Sequence, residues 1–337
     1  MIYPLTSLRF FAAMMVLIHH YFGFEAGYAG VGFFFVLSGF VLGLNYAGRV
    51  ETPVQRRDFW FRRFARIYPT HLLTFLATLP VGWPILDTLP SIVLLQSWIP
   101  FQGFYYTVNA PAWSISTEAA FYALFPLLLG IRGRTLLFWL AALCLLALAW
   151  ALTFPSLGFD AVVRVWKFDM VPTRWLFYIL PLTRVIEFAI GIWLATVVVK
   201  KPFRTGHECA AIGLAAASIV ALPFLPASFQ FALFFVPASA ALVLVFSRST
   251  GLLSRLLEQR ALVLLGDASF MLYMIHWPIA LYLGKSLATV ALAVVLSVAL
   301  HLAFERPVNR WLLQRWKAWS ARREVPGAPI DRAALPS

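Results

Sequence analysis

The sequence predicts an all-α polytopic membrane protein with about ten transmembrane helices and both termini in the cytoplasm. Composition is the first reason. Of 337 residues, 61% are hydrophobic and 12% charged, and the mean hydropathy is +0.81, whereas a soluble domain carries roughly a quarter charged residues. Apolar runs long enough to cross a bilayer recur along almost the whole chain. Finally, the basic residues are confined to alternate short loops. Of the 27 Lys and Arg, Arg164, Lys167, Arg174 and Lys285 fall on one side and Arg184 lies in a run, leaving 22 for the other side. Positive charge marks the cytoplasmic face.

The runs lie at about 5–24, 30–48, 67–82, 114–131, 135–153, 175–199, 208–225, 229–247, 269–284 and 286–304. The first is read as a span because it lacks the basic n-region and cleavage site of a signal peptide. The segment 251–266 is apolar at helical spacing but carries Arg255, Glu258 and Arg260, which places it at the interface. Aromatics and prolines make 89–113 a re-entrant or interfacial hairpin. The spanning unit covers 1–310, and 311–337 reads as a partly disordered cytoplasmic tail. No internal repeat relates the two halves. A net charge of +13 follows from the loop pattern and does not indicate nucleic acid. Cys144 and Cys209 form neither a disulfide framework nor a metal spacing.

Ionisable groups inside these runs are costly and point to function. Arg9 and His20 are eleven residues apart, on one helical face and about 16 Å apart along the axis. His19 is turned away from that stripe. Glu118 sits inside the fourth run at a depth matching His20, and a His20–Glu118 pair would orient a general base. Arg184 and Glu187 have the spacing of an intrahelical ion pair. His276, just before Pro278, reads as a satisfied core histidine. In "RRDFWFRRFARIYPTH", Arg62, Arg63 and Arg66 fit either lipid anchoring or a clamp on phosphate. Ser38 lies in a glycine-rich run suited to close helix approach.

Several motifs together resemble the acyltransferase 3 family of bacterial membrane O-acyltransferases. They are Arg9/His20, "GVGFFFVLSGFV" (30–41), "FWFRRFARIYP" (59–69), "NAPAWSISTEAAFY" (109–122), "RVIEFAIG" (184–191), "SFMLYMIHWP" (269–278) and "FERPVNR" (304–310). The resemblance covers nearly the whole chain. It implies transfer of an acyl group, usually acetyl, from cytoplasmic acyl-CoA to a hydroxyl of a sugar or glycan, in the bacterial inner membrane. In the family the matching arginine–histidine pair and R-x-x-R are functional, which maps onto Arg9, His20, Arg63 and Arg66. Many relatives carry a fused SGNH-type domain, and this sequence is read as the stand-alone form.

The expected site therefore has His20 and Glu118 as catalytic residues and Arg9, Arg62, Arg63, Arg66 and Ser38 around the donor. His19, Trp113, Tyr122, His276, Arg184 and Glu187 are placed along the acceptor path or pore. No permanent cofactor or metal is expected, and acetyl-CoA or another acyl-CoA is a co-substrate. The expected partners are a glycan or lipid-linked sugar acceptor, the bilayer, and a second copy of the chain in a homo-oligomer. Two rival functions stay open: acylation of a small molecule such as a macrolide, and secondary transport without covalent chemistry. A transporter often shows repeated halves, which this sequence lacks.

Overall fold

The computed structural model describes residues 2–131, 133–153, 157–158, 161–165, 168–197, 199–225 and 234–324. Lys167, expected in an outer loop, lies outside these residues. Helix α1 (Tyr3–Phe22) starts on Pro4, whose missing N–H costs nothing in a first turn. It ends at Gly23, where φ is 76° and the N–H reaches His19 O. A 3₁₀ turn leads into α2 (Ala29–Tyr46). Helix α3 (Pro53–Thr78) opens with a capping box between Thr52 and Gln55. It runs straight through the stretch read as a loop followed by a span, because nothing between Arg56 and Tyr68 breaks a helix. Its basic half and apolar half are one rod.

The hairpin region resolves into short pieces, α4 (Ile85–Ile92), α5 (Gln102–Tyr105) and single 3₁₀ turns. After them come α6 (Trp113–Leu128) and α7 (Gly133–Thr153). A small antiparallel hairpin follows, β1 (Val163–Val165) on β2 (Phe168–Met170), with Arg164 opposite Asp169. The all-α expectation is corrected here. Period-2 alternation over three residues is too short to be seen in a sequence.

Next are α8 (Pro172–Arg174), which continues as a π-helical turn over Trp175–Ile179, and α9 (Pro181–Thr196). Then come α10 (Thr205–Ala221), α11 (Val236–Phe246), α12 (Leu252–Leu257), α13 (Arg260–Asp267), α14 (Ser269–Leu283) and α15 (Leu287–Leu300). A π turn at His301–Glu305 joins α15 to α16 (Arg306–Glu324), so the first part of the expected tail is helical. The interfacial segment 251–266 is two short helices. Ser7 Oγ on α1 donates to Leu257 O at 2.5 Å, and Gly266 packs directly on the Thr6 backbone.

Every predicted run carries a helix, though residues 229–233 of the eighth lie outside those described. Among the described residues, five helical stretches are long and apolar enough to cross a membrane: Tyr3–Phe22, Glu25–Tyr46, Pro172–Thr196, Thr205–Phe224 and Leu287–Ala321. Counting α13 and α14, bent by 59°, as one broken span gives a sixth. The other four runs fall short because α3 is half arginine-rich, α6 has 16 residues, α11 has 11, and the apolar part of α7 counted among the described residues is Phe138–Trp150.

The interior forms where α2 crosses α9. A Cβ on Gly39 would collide with Phe188 O, and one on Gly191 with Val36 O, so these glycines let the two backbones touch. Around that crossing Phe35, Phe59, Phe121, Phe125 and Phe188 form a buried aromatic core. It holds α2, α3, α6 and α9 in one cluster. Helix α14 packs on α1, α3 and α15 and closes the bundle over the polar stripe of α1.

Candidate active site

A cavity of about 210 Å³ lies among α1, α2, α3, α6 and α14. Each of these helices sends in one to three polar side chains: Arg9; Ser38; Arg63 and Arg66; Ser114, Glu118 and Tyr122; and Tyr273. The three arginines are held differently. Arg66 pairs with Glu305, which is 3% exposed, and lies 5.6 Å from the Phe270 ring centroid. Arg63 donates from Nη2 to Tyr46 Oη at 3.3 Å and stands over the rings of Tyr46, Phe59 and Tyr122. Its Nε is buried with no acceptor among the described residues. Arg9 makes no hydrogen bond or ion pair among the described residues, although it lines the cavity.

The acid of the cavity is Glu118. Its Oε1 accepts from Ser38 Oγ at 3.1 Å and Tyr122 Oη at 2.5 Å. One carboxylate thus faces Arg9 and Arg63, neither of which has a carboxylate partner. A partly open space with surplus positive charge and unused N–H donors has the chemistry to receive an anion.

Arg63 also lines a second chamber of about 590 Å³ bordered by Asn45, Arg49, Asp58 and Arg62. Arg62 is tied to Asp58 at 2.7 Å, and Asp58 Oδ1 accepts from Trp316 Nε1 at 3.0 Å. Arg63 stands where the two spaces meet, since both are lined by Val41 and Arg63. The R-x-x-R spacing puts Arg63 and Arg66 on one face of α3, with Arg62 turned into the outer chamber.

At the far end of α1 the chemistry changes. His20 Nδ1 lies 2.8 Å from His276 Nε2, with the two rings 11° from parallel. His276 is fully buried, and its Nδ1 lies 3.3 Å from Leu272 O. The Trp277 ring meets His20 edge-on at 5.4 Å, and its indole N–H has no acceptor. His19 Nδ1 pairs with Phe24 O at 2.7 Å, which ties down the turn after α1. Tyr273 links the two regions. It lines the cavity, its ring lies 6.1 Å from that of His276, and its Oη shares a 2.7 Å hydrogen bond with Ser114 Oγ.

The expected His20–Glu118 pair does not form. Matched depth fixes position along the membrane normal but not direction around the helix. Glu118 points to α2 and to its own i+4 neighbour, whereas α14 brings His276 to His20. Trp113 is not a cavity wall. It is buried against Phe35 and Tyr178, inside the aromatic core. Arg184 and Glu187 form a buried ion pair at 3.0 Å, with Arg184 over the Phe35 and Tyr178 rings. They support the α2–α9 crossing and do not line the cavity. Of the residues expected around the donor, Arg9, Ser38, Arg63 and Arg66 line one cavity and Arg62 lines the second chamber, while Tyr122, expected on the acceptor path, lies in the first cavity with them. Sequence reasoning missed Glu305, Arg49, Tyr46 and Tyr273. Glu305 left one signal, an isolated acid at the end of the last apolar run.

Comparison with known proteins gives the family. The acyltransferase domain of the acyltransferase 3 family matches residues 2–305. Acyltransferase MdmB of Streptomyces mycarofaciens is 31% identical, with 92% of each chain covered. YrhL of Bacillus subtilis (strain 168), named for peptidoglycan O-acetyl transfer, is 27% identical over 82% of this chain and 48% of its own. The exopolysaccharide production protein ExoZ of Rhizobium meliloti (strain 1021) is 28% identical over 94% of this chain and 96% of its own. No solved structure matches. With its family domain spanning nearly all of the described helices, the chain belongs to the acyltransferase 3 family of membrane acyltransferases.

Proposed function

We propose that the protein moves an acyl group, most simply acetyl, from cytoplasmic acyl-CoA to a hydroxyl of a sugar or cell-envelope glycan in the bacterial inner membrane. The observation that carries this reading is the pair of neighbouring basic chambers that share Arg63 in their walls. CoA has the matching shape, a bulky nucleotide with several phosphates followed by a thin pantetheine arm. The outer chamber, with Arg49 and Arg62, suits the nucleotide end. Arg63, Arg9 and Arg66 then hold the phosphates and guide the arm inward, as guanidinium groups bind phosphate through paired N–H donors. The loop asymmetry of the sequence supports a cytoplasmic position for this mouth, on the side where acyl-CoA is made.

The arm enters past Arg9 and runs along the α1 stripe toward His20, with Tyr273 beside its path. At His20 the acceptor hydroxyl gives its proton to the imidazole, and its oxygen attacks the thioester carbonyl. The tetrahedral intermediate collapses with rupture of the C–S bond. The imidazolium returns the proton to the departing sulfur, giving the ester and CoA thiol. Glu118, held by Ser38 and Tyr122, belongs to the donor cavity in this scheme and limits its positive charge. The glycan acceptor is supported by the names of the YrhL and ExoZ relatives.

Thiol release from acetyl-CoA tests the reading. Purified protein in nanodiscs is given a muropeptide, an extracellular polysaccharide or a small hydrophobic polyol, with a no-acceptor control. Acceptor-dependent thiol release and an ester on the glycan are expected. Turnover on the polyol alone would exclude the glycan assignment. An absence of acetyl-CoA binding would remove the donor assignment as well.

A further inference from the structure

The histidine pair carries an inference about chemistry, because its hydrogen bonds fix where the protons are. A carbonyl oxygen can only accept, so the contact between His276 Nδ1 and Leu272 O requires the proton on Nδ1. In a neutral imidazole the other nitrogen is then an acceptor. His276 Nε2 therefore presents a lone pair to His20 Nδ1 at 2.8 Å, and the shared hydrogen belongs to His20. The remaining nitrogen of His20, Nε2, is left bare. The opposite arrangement would need a doubly protonated His276 in a fully buried position with no carboxylate against it, a costly charge in this setting.

The surroundings hold His276 in place from two further helical elements. Tyr21 Oη donates to His276 O at 2.9 Å. Pro278 removes the N–H that would have closed a helical bond to Met274 O, and Asn109 Nδ2 donates to that carbonyl instead, at 3.0 Å. The α14 backbone around His276 is thus stitched to α1 and to the turn before α6. A side chain serving only as core filler would not need this support.

We propose that His276 is the positioning residue of the acyl-transfer step, selecting the His20 tautomer whose Nε2 is free to take the acceptor's proton. The proposal rests on the reading of His20 as the base. When Nε2 takes the hydroxyl proton, His20 carries two N–H groups. The one on Nδ1 stays hydrogen-bonded to His276, which stabilises the imidazolium until the proton passes to the CoA sulfur. His276 itself exchanges no proton in the cycle.

Two measurements on the full chain in nanodiscs decide the matter. Histidine ¹⁵N spectra, assigned with His20→Gln and His276→Gln, should show His20 Nδ1 protonated and Nε2 bare. A His20 carrying its proton on Nε2 overturns the proposal, whatever His20 does in catalysis. The second measurement is turnover of acetyl-CoA with whichever supplied acceptor reacts. His276→Phe keeps ring volume but offers no acceptor, and kcat should fall at least tenfold with the KM for acetyl-CoA unchanged. His276→Gln can place its carbonyl where Nε2 lies and should recover most of that loss. Equal losses in the two variants, or full activity in His276→Phe, overturn the proposal. Should His276→Phe fail to fold, Gln is compared with the shorter Asn. Gln should be the faster, and equal rates overturn the proposal. An active His20→Ala would instead defeat the base assignment and leave the tautomer result standing.

Discussion

The two ends of α1 solve opposite problems. At Arg9 the bundle gathers cations and leaves two of them without carboxylates, so the cavity holds positive charge that only an incoming anion can balance. At His20 the bundle stitches two imidazoles into a directional chain of hydrogen bonds. The difference shows how one helix can serve both substrates. In the proposed reading, electrostatics captures a multiply charged donor at one end, and a neutral, oriented base meets an uncharged hydroxyl at the other. Tyr273, which touches both regions, marks the boundary.

The sharpest way to break this contrast is to remove the base. His20→Ala should lower kcat by about 10²–10⁴-fold, the scale of general base catalysis, while equilibrium binding of acetyl-CoA is retained. A parallel loss of donor binding would mean the two ends are not separable.

Within the basic end, Arg63 and Arg66 should differ. Arg63→Ala should weaken acetyl-CoA binding by about 1–3 kcal/mol, the range for a lost charge-assisted hydrogen bond, with little change in thermal stability. Arg66→Ala should cost similar affinity and also lower the unfolding temperature, because it strips a partner from buried Glu305. Calorimetry and thermal unfolding on the same preparations distinguish them. Equal stability of the two variants would contradict the Arg66–Glu305 pairing.

Glu118→Gln sharpens the assignment of that acid. Since it bonds Ser38 and Tyr122 and not His20, the change should act mainly on the KM for acetyl-CoA. A pure kcat effect with a shifted pH profile would return Glu118 to the histidine. A smaller effect is expected from Gly39→Ala, where the new methyl meets Phe188 O. Overpacking of this kind typically costs about 1–3 kcal/mol of stability, read as a lower unfolding temperature without altered donor affinity. The least effect belongs to His19→Ala. It removes only the tie to Phe24 O, so rates within a few-fold of the parent are expected. A dead His19→Ala beside an active His20→Ala would exchange their roles.

Much of the helical framework could be read from composition and apolar runs, because burial in lipid demands long apolar helices and leaves a strong local signal. The same holds for the basic cluster. Arg63 and Arg66 are three residues apart on one helix, and helical geometry alone puts them on one face. The β1–β2 hairpin left no comparable signal, being short and set by neighbours. Nor could the number of full spans be read, since α3 merges a basic surface stretch with an apolar one in a single rod.

The partners of the site were a different kind of problem. The sequence by itself determined that Arg9 and His20 share a face, that Ser38 and the glycines of α2 permit close approach, and that Arg184 pairs with Glu187. All of these depend on spacing within one helix. Only the tertiary structure decided that His20 meets His276, 256 residues away, that Glu118 turns to Ser38, and that Glu305 anchors Arg66. Such pairings depend on how each helix is rotated about its axis. Rotation is set by packing at crossings such as Gly39 on Phe188, so depth and residue type alone cannot reveal it.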